Sequence, residues 1–198
     1  MSEPSVSSLP RRLVVGITGA TGIVYGIRLL EALRASDIET HLVMTRAAAR
    51  TLALESDRTA DDLRALADVT WPIGDIGAAI ASGSFRTMGM IVAPCSVRSM
   101  STIAAGTTDN LLTRAADVVL KERRPLVLLV RETPLHAGHL ETMLKLARIG
   151  AVVMPPVPAF YTRPQTIDDI VDQTVGRALD VFDIDVGLVK RWDGSGAA

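Results

Sequence analysis

Short apolar, β-branched runs alternate along the chain with stretches whose apolar positions recur every three or four residues, a pattern that predicts alternating strands and helices. Strands are expected at Leu13–Ile17, Thr40–Met44, Met88–Ala93, Leu126–Arg131 and Ala151–Met154. Three of these are almost wholly apolar, as strands covered on both faces of a parallel sheet must be. Helices are expected at Ile23–Ala35, Ala47–Leu54, Asp61–Ala67, Asp109–Glu122, Leu140–Ile149 and Ile167–Phe182. The alternation predicts an α/β fold: a Rossmann-like three-layer α/β/α sandwich with a mostly parallel sheet. A single domain over residues 11–192, between end segments 1–10 and 193–198, accommodates every element.

Composition narrows the class. With 198 residues, 48% of them hydrophobic, and a net charge of −1, the chain has a large core and no general attraction for nucleic acid or an anionic membrane. Any positive charge that matters is therefore local. The lone Cys95 excludes an internal disulfide framework, and His41, His136 and His139 are not spaced as a zinc site. Met1–Pro10 has no cationic and apolar leader pattern, and no apolar run is long enough for a membrane span, so the cytoplasm is the expected location.

Candidate chemistry falls at the ends of the strands. Gly16-Ile-Thr-Gly19-Ala-Thr21-Gly22 joins the first strand to the first helix, where backbone amides face a phosphate. It is not the full dinucleotide fingerprint, and Met44-Thr45-Arg46 stands where a ribose-binding acid belongs. Thr45 follows the second strand, Ser96 the third, Arg131 and Glu132 the fourth, and Tyr161 lies in the loop after the fifth. All are at carboxyl ends, the edge where open α/β sheets bind ligands. Pro94-Cys95-Ser96-Val97-Arg98-Ser99 reads as an outward turn for an anion or a flavin, with Cys95 a small inert thiol.

Arg114 and Lys121, seven residues apart, share a helix face and suit a phosphate, whereas Arg123 and Arg124 read as a solvated basic helix end. Glu132 emerges beside Arg131 and is an acid–base candidate, because a bound phosphate dianion would raise its pKa; an ion pair that shapes the loop is the plain alternative. Glu55 is a weaker acid candidate. Tyr161 offers a phenol to a phosphate or a ring face to a hydrocarbon, and a loop-stapling aromatic is its ordinary reading. His136 and His139 read as surface or packing residues.

These segments resemble a known family. Gly19-Ala20-Thr21-Gly22 with Tyr25-Gly26-Ile27-Arg28, Pro94-Cys95-Ser96, the block from Arg114 to Pro125, Arg131-Glu132-Thr133-Pro134-Leu135 and Pro158-Ala159-Phe160-Tyr161 are similar to UbiX-type flavin prenyltransferases, across about Arg11 to Trp192. The resemblance implies transfer of a dimethylallyl group from dimethylallyl phosphate to N5 and C6 of reduced FMN, without a metal. The product, prenylated FMN, would serve a UbiD-type decarboxylase. It implies FMN contacts from Gly19, Ala20, Thr21, Thr45, Ser96, Val97, Arg98, Ser99 and Arg131. Tyr161, Arg177, Lys121 and Arg114 would take the prenyl phosphate; Glu132 would protonate the leaving phosphate, with Thr21, Glu55 and Lys121 as further catalytic groups.

The family assembles as dodecamers with sites near subunit interfaces, so some of these residues are expected to act across chains. The chain departs from the family in Thr21 and Thr45, where serine is common, and in Arg98-Ser99, where Lys-Thr is frequent. Each keeps a hydroxyl or a charge. An FMN-dependent cysteine decarboxylase, a nicotinamide-dependent reductase and a non-catalytic FMN carrier are the alternatives. The catalytic histidine and substrate loop of the first and the Tyr-x-x-x-Lys pair of the second have no place here, and the carrier needs no joint Arg114, Lys121, Glu132 and Tyr161.

Overall fold

The computed structural model describes residues 11–194; the expected end segment 1–10 and residues 195–198 of the expected tail 193–198 lie outside the described residues. Six strands form one sheet: β1 (Arg12–Ile17), β2 (Glu39–Met44), β3 (Val69–Trp71), β4 (Gly89–Cys95), β5 (Leu126–Val130) and β6 (Ala151–Val153). Every adjacent pair is parallel, in the order β3-β2-β1-β4-β5-β6. The order reverses between β1 and β4, which opens a crevice at their carboxyl ends.

Among the described residues six α-helices lie between the strands, α1 (Ile23–Arg34), α2 (Arg46–Glu55), α3 (Ala60–Arg64), α4 (Val97–Ala105), α5 (Leu111–Lys121) and α6 (Ala137–Arg148), and α7 (Ile167–Asp180) follows the last strand. The two-residue alternation of the central strands divides the core. Leu13, Val15 and Ile17 of β1, Ile91 and Ala93 of β4, and Val127 and Leu129 of β5 pack toward α1 and α7. Val14, Met90, Val92, Leu126 and Leu128 face α4, α5 and Leu146 of α6. Each face thus buries about 25 cal/mol for every Å² of apolar surface removed from water, which fixes the register of each strand.

Two elements depart from expectation. Ser96 does not sit in a turn that continues to Ser99; it is the N-cap of α4, its Oγ accepting from the Ser99 amide at 3.3 Å. Met100, Ile103 and Ala104 then bury one face of that helix, so packing overrides the local turn signal. The short strand β3 was not expected either; Val69 and Trp71 are only partly buried, Thr70 is exposed, and the strand pairs with β2 alone. Asn110 caps α5, so that helix starts two residues later than expected, and α6 starts three residues earlier, at Ala137.

The connection from β3 to β4 contains no α-helix. It leaves the carboxyl edge at Pro72, runs beside α5 through one 3-10 turn (Ala79–Ala81), and enters β4 from the amino edge. Arg124, expected to be solvated, instead pins this strap. Its side chain is 17% exposed and donates to the carbonyls of Gly83 at 2.8 Å and Phe85 at 3.0 Å. Among the described residues no helix is long and apolar enough to cross a membrane.

Candidate active site

A cleft of about 360 Å³ opens at the carboxyl edge beside the crossover. Its walls are Gly19 after β1, Thr45–Ala47 after β2, Ile73 after β3, Ser96, Arg98, Ser99 and Thr102 after β4, and Asp109, Asn110 and Thr113 at the start of α5. Three helices begin here, and each is capped by a side chain: Thr45 accepts from the Ala48 amide, Ser96 from Ser99 and Asn110 from Thr113. A cap takes the third amide of a helix and leaves the first two without an intrahelical partner. The first α5 amide, of Leu111, donates to the Ile73 carbonyl at 2.9 Å; the first amides of α2 and α4 and the positive ends of three helix dipoles converge on one space, and Arg46 and Arg98 stand in it.

Close backbone approach shapes the cleft. A Cβ on Gly19 would overlap Ala47 Cβ and lie 3.0 Å from the Ala47 carbonyl carbon, so only glycine lets the β1–α1 loop touch the first turn of α2. Thr18, fully buried, ties the two strands at the crossover: its hydroxyl donates to the Pro94 carbonyl at 2.7 Å and accepts from the Ser96 amide at 2.8 Å. Sequence reasoning passed over Thr18 as a site-shaping residue. The signal was a hydroxyl directly between an apolar strand and a glycine loop.

A second cluster adjoins the first. α2 lies across the Gly19–Gly22 loop, and its last residue, Glu55, accepts from the amides of Gly22 at 2.8 Å and Ile23 at 3.0 Å. It thereby caps α1, which has no side-chain cap of its own. Partial burial by itself would raise the Glu55 pKa. The Thr21 hydroxyl, the two amides and the nearby Arg131 charge outweigh it and hold the carboxyl below its usual range. Glu55 is thus held as an ionised carboxylate that caps α1, and not as the protonated acid its candidacy called for. Arg131 also faces Tyr25, whose hydroxyl burial pushes up despite that charge. The Glu132 carboxylate accepts from the Thr133 amide at 2.9 Å at the exposed start of the next loop. Cys95 is inert as expected: complete burial pushes its thiol to about 12.

The remaining expected site residues stand apart. Arg114 donates to the Ala81 carbonyl at 3.2 Å and pairs with Asp117 at 2.9 Å. Lys121, at the far end of α5, pairs with Glu122. Glu122 lines a groove with Arg11 and Met88, the residues that precede β1 and β4, so Lys121 is at the amino edge. An 11-residue helix spans roughly 16 Å, so the Lys121 side chain does not reach its own cleft. Arg177 pairs with Asp180 at 2.6 Å one turn before the end of α7, also toward the amino edge. Tyr161 packs edge-on against Trp192 at 5.7 Å, its hydroxyl 3.4 Å from Gln173 Nε2. None of these four lines the cleft.

A cleft of apolar walls, hydroxyls and helix-start amides at the crossover of a parallel sheet is the geometry of a flavin- or nucleotide-binding α/β protein. Residues 1–179 match the family model described as Flavoprotein. The flavin prenyltransferase UbiX of Escherichia coli K12 is 60% identical over 188 residues, covering 93% of this chain and 100% of that protein. A crystal structure of AnUbiX in complex with FMN and dimethylallyl pyrophosphate superposes with a TM-score of 0.92 at 52% identity, covering 94% of this chain and 99% of that one. The crystal structure described as a dodecameric FMN-dependent UbiX-like decarboxylase from E. coli O157:H7 gives 0.90 at 52% identity, covering 92% of this chain and 100% of that one. The chain belongs to the flavoprotein family and, within it, to the UbiX flavin prenyltransferases.

Proposed function

We propose that this protein transfers a dimethylallyl group from dimethylallyl phosphate to reduced FMN and releases prenylated FMN for a UbiD-type decarboxylase. The observation that carries this reading is the convergence of Gly19, Thr45, Ser96, Arg98 and Ser99 on one cleft, with Thr21, Glu55 and Arg131 clustered beside it. The cleft fits a flavin: Ile73 and Ala47 give it an apolar wall, unpaired helix-start amides suit a phosphate, and the absent Gly19 side chain leaves room for close contact. Ala20 and Val97, flanking residues of the same two loops, contribute backbone contacts. Reduced FMN supplies the electron-rich N5 and C6 positions.

The chain's own groups do the rest. Breaking an allylic C–O bond builds positive charge on carbon and negative charge on the departing phosphate. Arg114, Lys121, Arg177 and Tyr161 hold that phosphate, and Glu132 delivers a proton to it. At ring closure the prenyl double bond takes up the proton held between Glu132 and the released phosphate, which makes its tertiary carbon electrophilic. As that carbon bonds to C6, the ionised Glu55, bonded to the Thr21 hydroxyl, accepts the proton that C6 loses. Because Lys121 and Arg177 stand at the amino edge and neither Arg114 nor Tyr161 lines its own cleft, we place all four in the site of a neighbouring copy within a dodecamer in the cytoplasm. Holding both reactants in one orientation is worth roughly 7–11 kcal/mol, which substitutes for activation by a metal.

The test is anaerobic incubation of the purified protein with reduced FMN and dimethylallyl phosphate, followed by mass measurement of the released flavin. The expected result is a gain of one five-carbon prenyl unit, lost in Glu132→Gln. Tightly bound but unmodified FMN, with neither the monophosphate nor the diphosphate donor consumed, would overturn the reading in favour of a carrier or a decarboxylase.

A further inference from the structure

The strap between β3 and β4 runs beside α5 in the same sense, and each basic residue along that side of the helix leans on it. Arg114 near the start of α5 donates to the Ala81 carbonyl, and Arg124 beyond its end donates to Gly83 and Phe85. Between them Lys121 lies against Gly83, paired with Glu122, whose second oxygen is 3.9 Å from Arg124. The hydrogen bond and charge of Lys121, with the Arg124 charge, hold the Glu122 carboxyl below its usual range, so Glu122 is ionised throughout the neutral region.

Gly83 has no conformational need to be glycine, since its φ lies outside the left-handed region. What it supplies is space. A Cβ built there overlaps the Glu122 carboxylate and falls 2.6 Å from Lys121 Nζ, and every atom it meets is the far end of a long side chain. An alanine would therefore be accommodated by swinging the ion pair aside, at little cost to the fold. The Lys121 side chain is 47% exposed, so it has solvent to swing into.

We propose that Gly83 is a positioning residue for the donor phosphate: the gap it leaves on the strap sets where Lys121 presents its ammonium to the neighbouring copy. This rests on the prenyl-transfer reading, in which Lys121 holds that phosphate. Glu122 and Arg124 act with Gly83, the first steering the ammonium and the second fixing the height of the strap. Misplacing a charged group by about 1 Å at a reacting phosphate costs on the order of a hundredfold in rate, so a single methyl group on this strap controls donor use without touching substrate.

Steady-state turnover by the full-length protein, with dimethylallyl phosphate varied at saturating reduced FMN, tests it in wild type, Gly83→Ala, Lys121→Ala and the double variant. Gly83→Ala is expected to raise KM for the donor roughly ten- to a hundredfold with a smaller change in kcat, and to leave FMN affinity and Tm as in wild type. The double variant is expected to be no slower than Lys121→Ala alone, because Gly83 acts only through that lysine. Wild-type kinetics for Gly83→Ala, a lowered Tm, or effects that multiply in the double variant would each overturn the proposal while leaving prenyl transfer intact. No turnover by the wild-type protein would remove the prenyl-transfer reading and this proposal with it.

Discussion

At the carboxyl edge of the sheet Arg46 and Arg98 face the cleft with no ion pair among the described residues, and the starts of three helices point into the same space. At the amino edge the expected donor-site cations, and Arg124 beside them, are already engaged: Lys121 with Glu122, Arg177 with Asp180, Arg124 with backbone carbonyls. The difference separates two kinds of binding group. Groups left unpaired in a folded chain are held open for a ligand. Cations already paired are oriented in advance, and here they are oriented too far from their own cleft to use it. On the prenyl-transfer reading proposed above, one protomer would hold the flavin half of a site and display a donor half at the opposite rim for a neighbouring copy.

The sharpest way to break this comparison is to remove the paired half. Lys121→Ala is expected to lower kcat/KM for dimethylallyl phosphate roughly 10²–10³-fold while FMN affinity, followed by flavin fluorescence, is unchanged. A parallel loss of FMN binding would show that the two edges are not separate halves. Changes at the carboxyl edge should do the reverse. Gly19→Ala forces the β1–α1 loop away from Ala47 and is expected to weaken FMN binding and cost about 1–3 kcal/mol of stability. Adding Ala47→Gly, which removes the overlapped Cβ, should restore part of both, as read by titration and thermal unfolding.

Thr18→Val sharpens the comparison from within the fold. It deprives the Pro94 carbonyl and the Ser96 amide of their shared partner, and chemical denaturation is expected to show a loss of about 1–3 kcal/mol. The smallest effect concerns Glu55. Its pKa is lowered in the folded chain, so its contribution to stability is present above the ordinary glutamate value of about 4.3 and is lost as pH falls through the folded value. Thermal unfolding of Glu55→Gln between pH 3 and 7 should show a flatter acid limb than wild type, and an unchanged limb would remove the carboxylate assignment.

The sequence disclosed the carboxyl edge well and the amino edge poorly. Thr45 and Ser96 directly follow apolar runs and Gly19 follows one after a single residue, Thr18, so the direction of a parallel sheet alone brings them together. Arg114 and Lys121 were rightly read as lying on one helix, but spacing on a helix gives a face and not the edge to which that face is carried. The edge depends on the long β3–β4 strap, and the strap has no periodicity to read. Glu55 illustrates the same limit. More than thirty residues separate it from Gly22, and only the path of α2 across the loop makes it a cap. The start of α4 was hidden because Ser96 and Ser99 serve a turn and a helix cap with the same chemistry.

The account predicts that each site takes its two halves from two copies, and mixed assemblies test this directly. Arg131→Ala disables the cleft side and Lys121→Ala the donor side, so each homogeneous protein is expected to be inactive. When the two are co-expressed with different tags and the mixed oligomers isolated, sites that join an intact cleft to an intact Lys121 should return roughly a quarter of wild-type turnover under random mixing. Mixed oligomers no more active than either parent would place both halves in one chain and contradict the account.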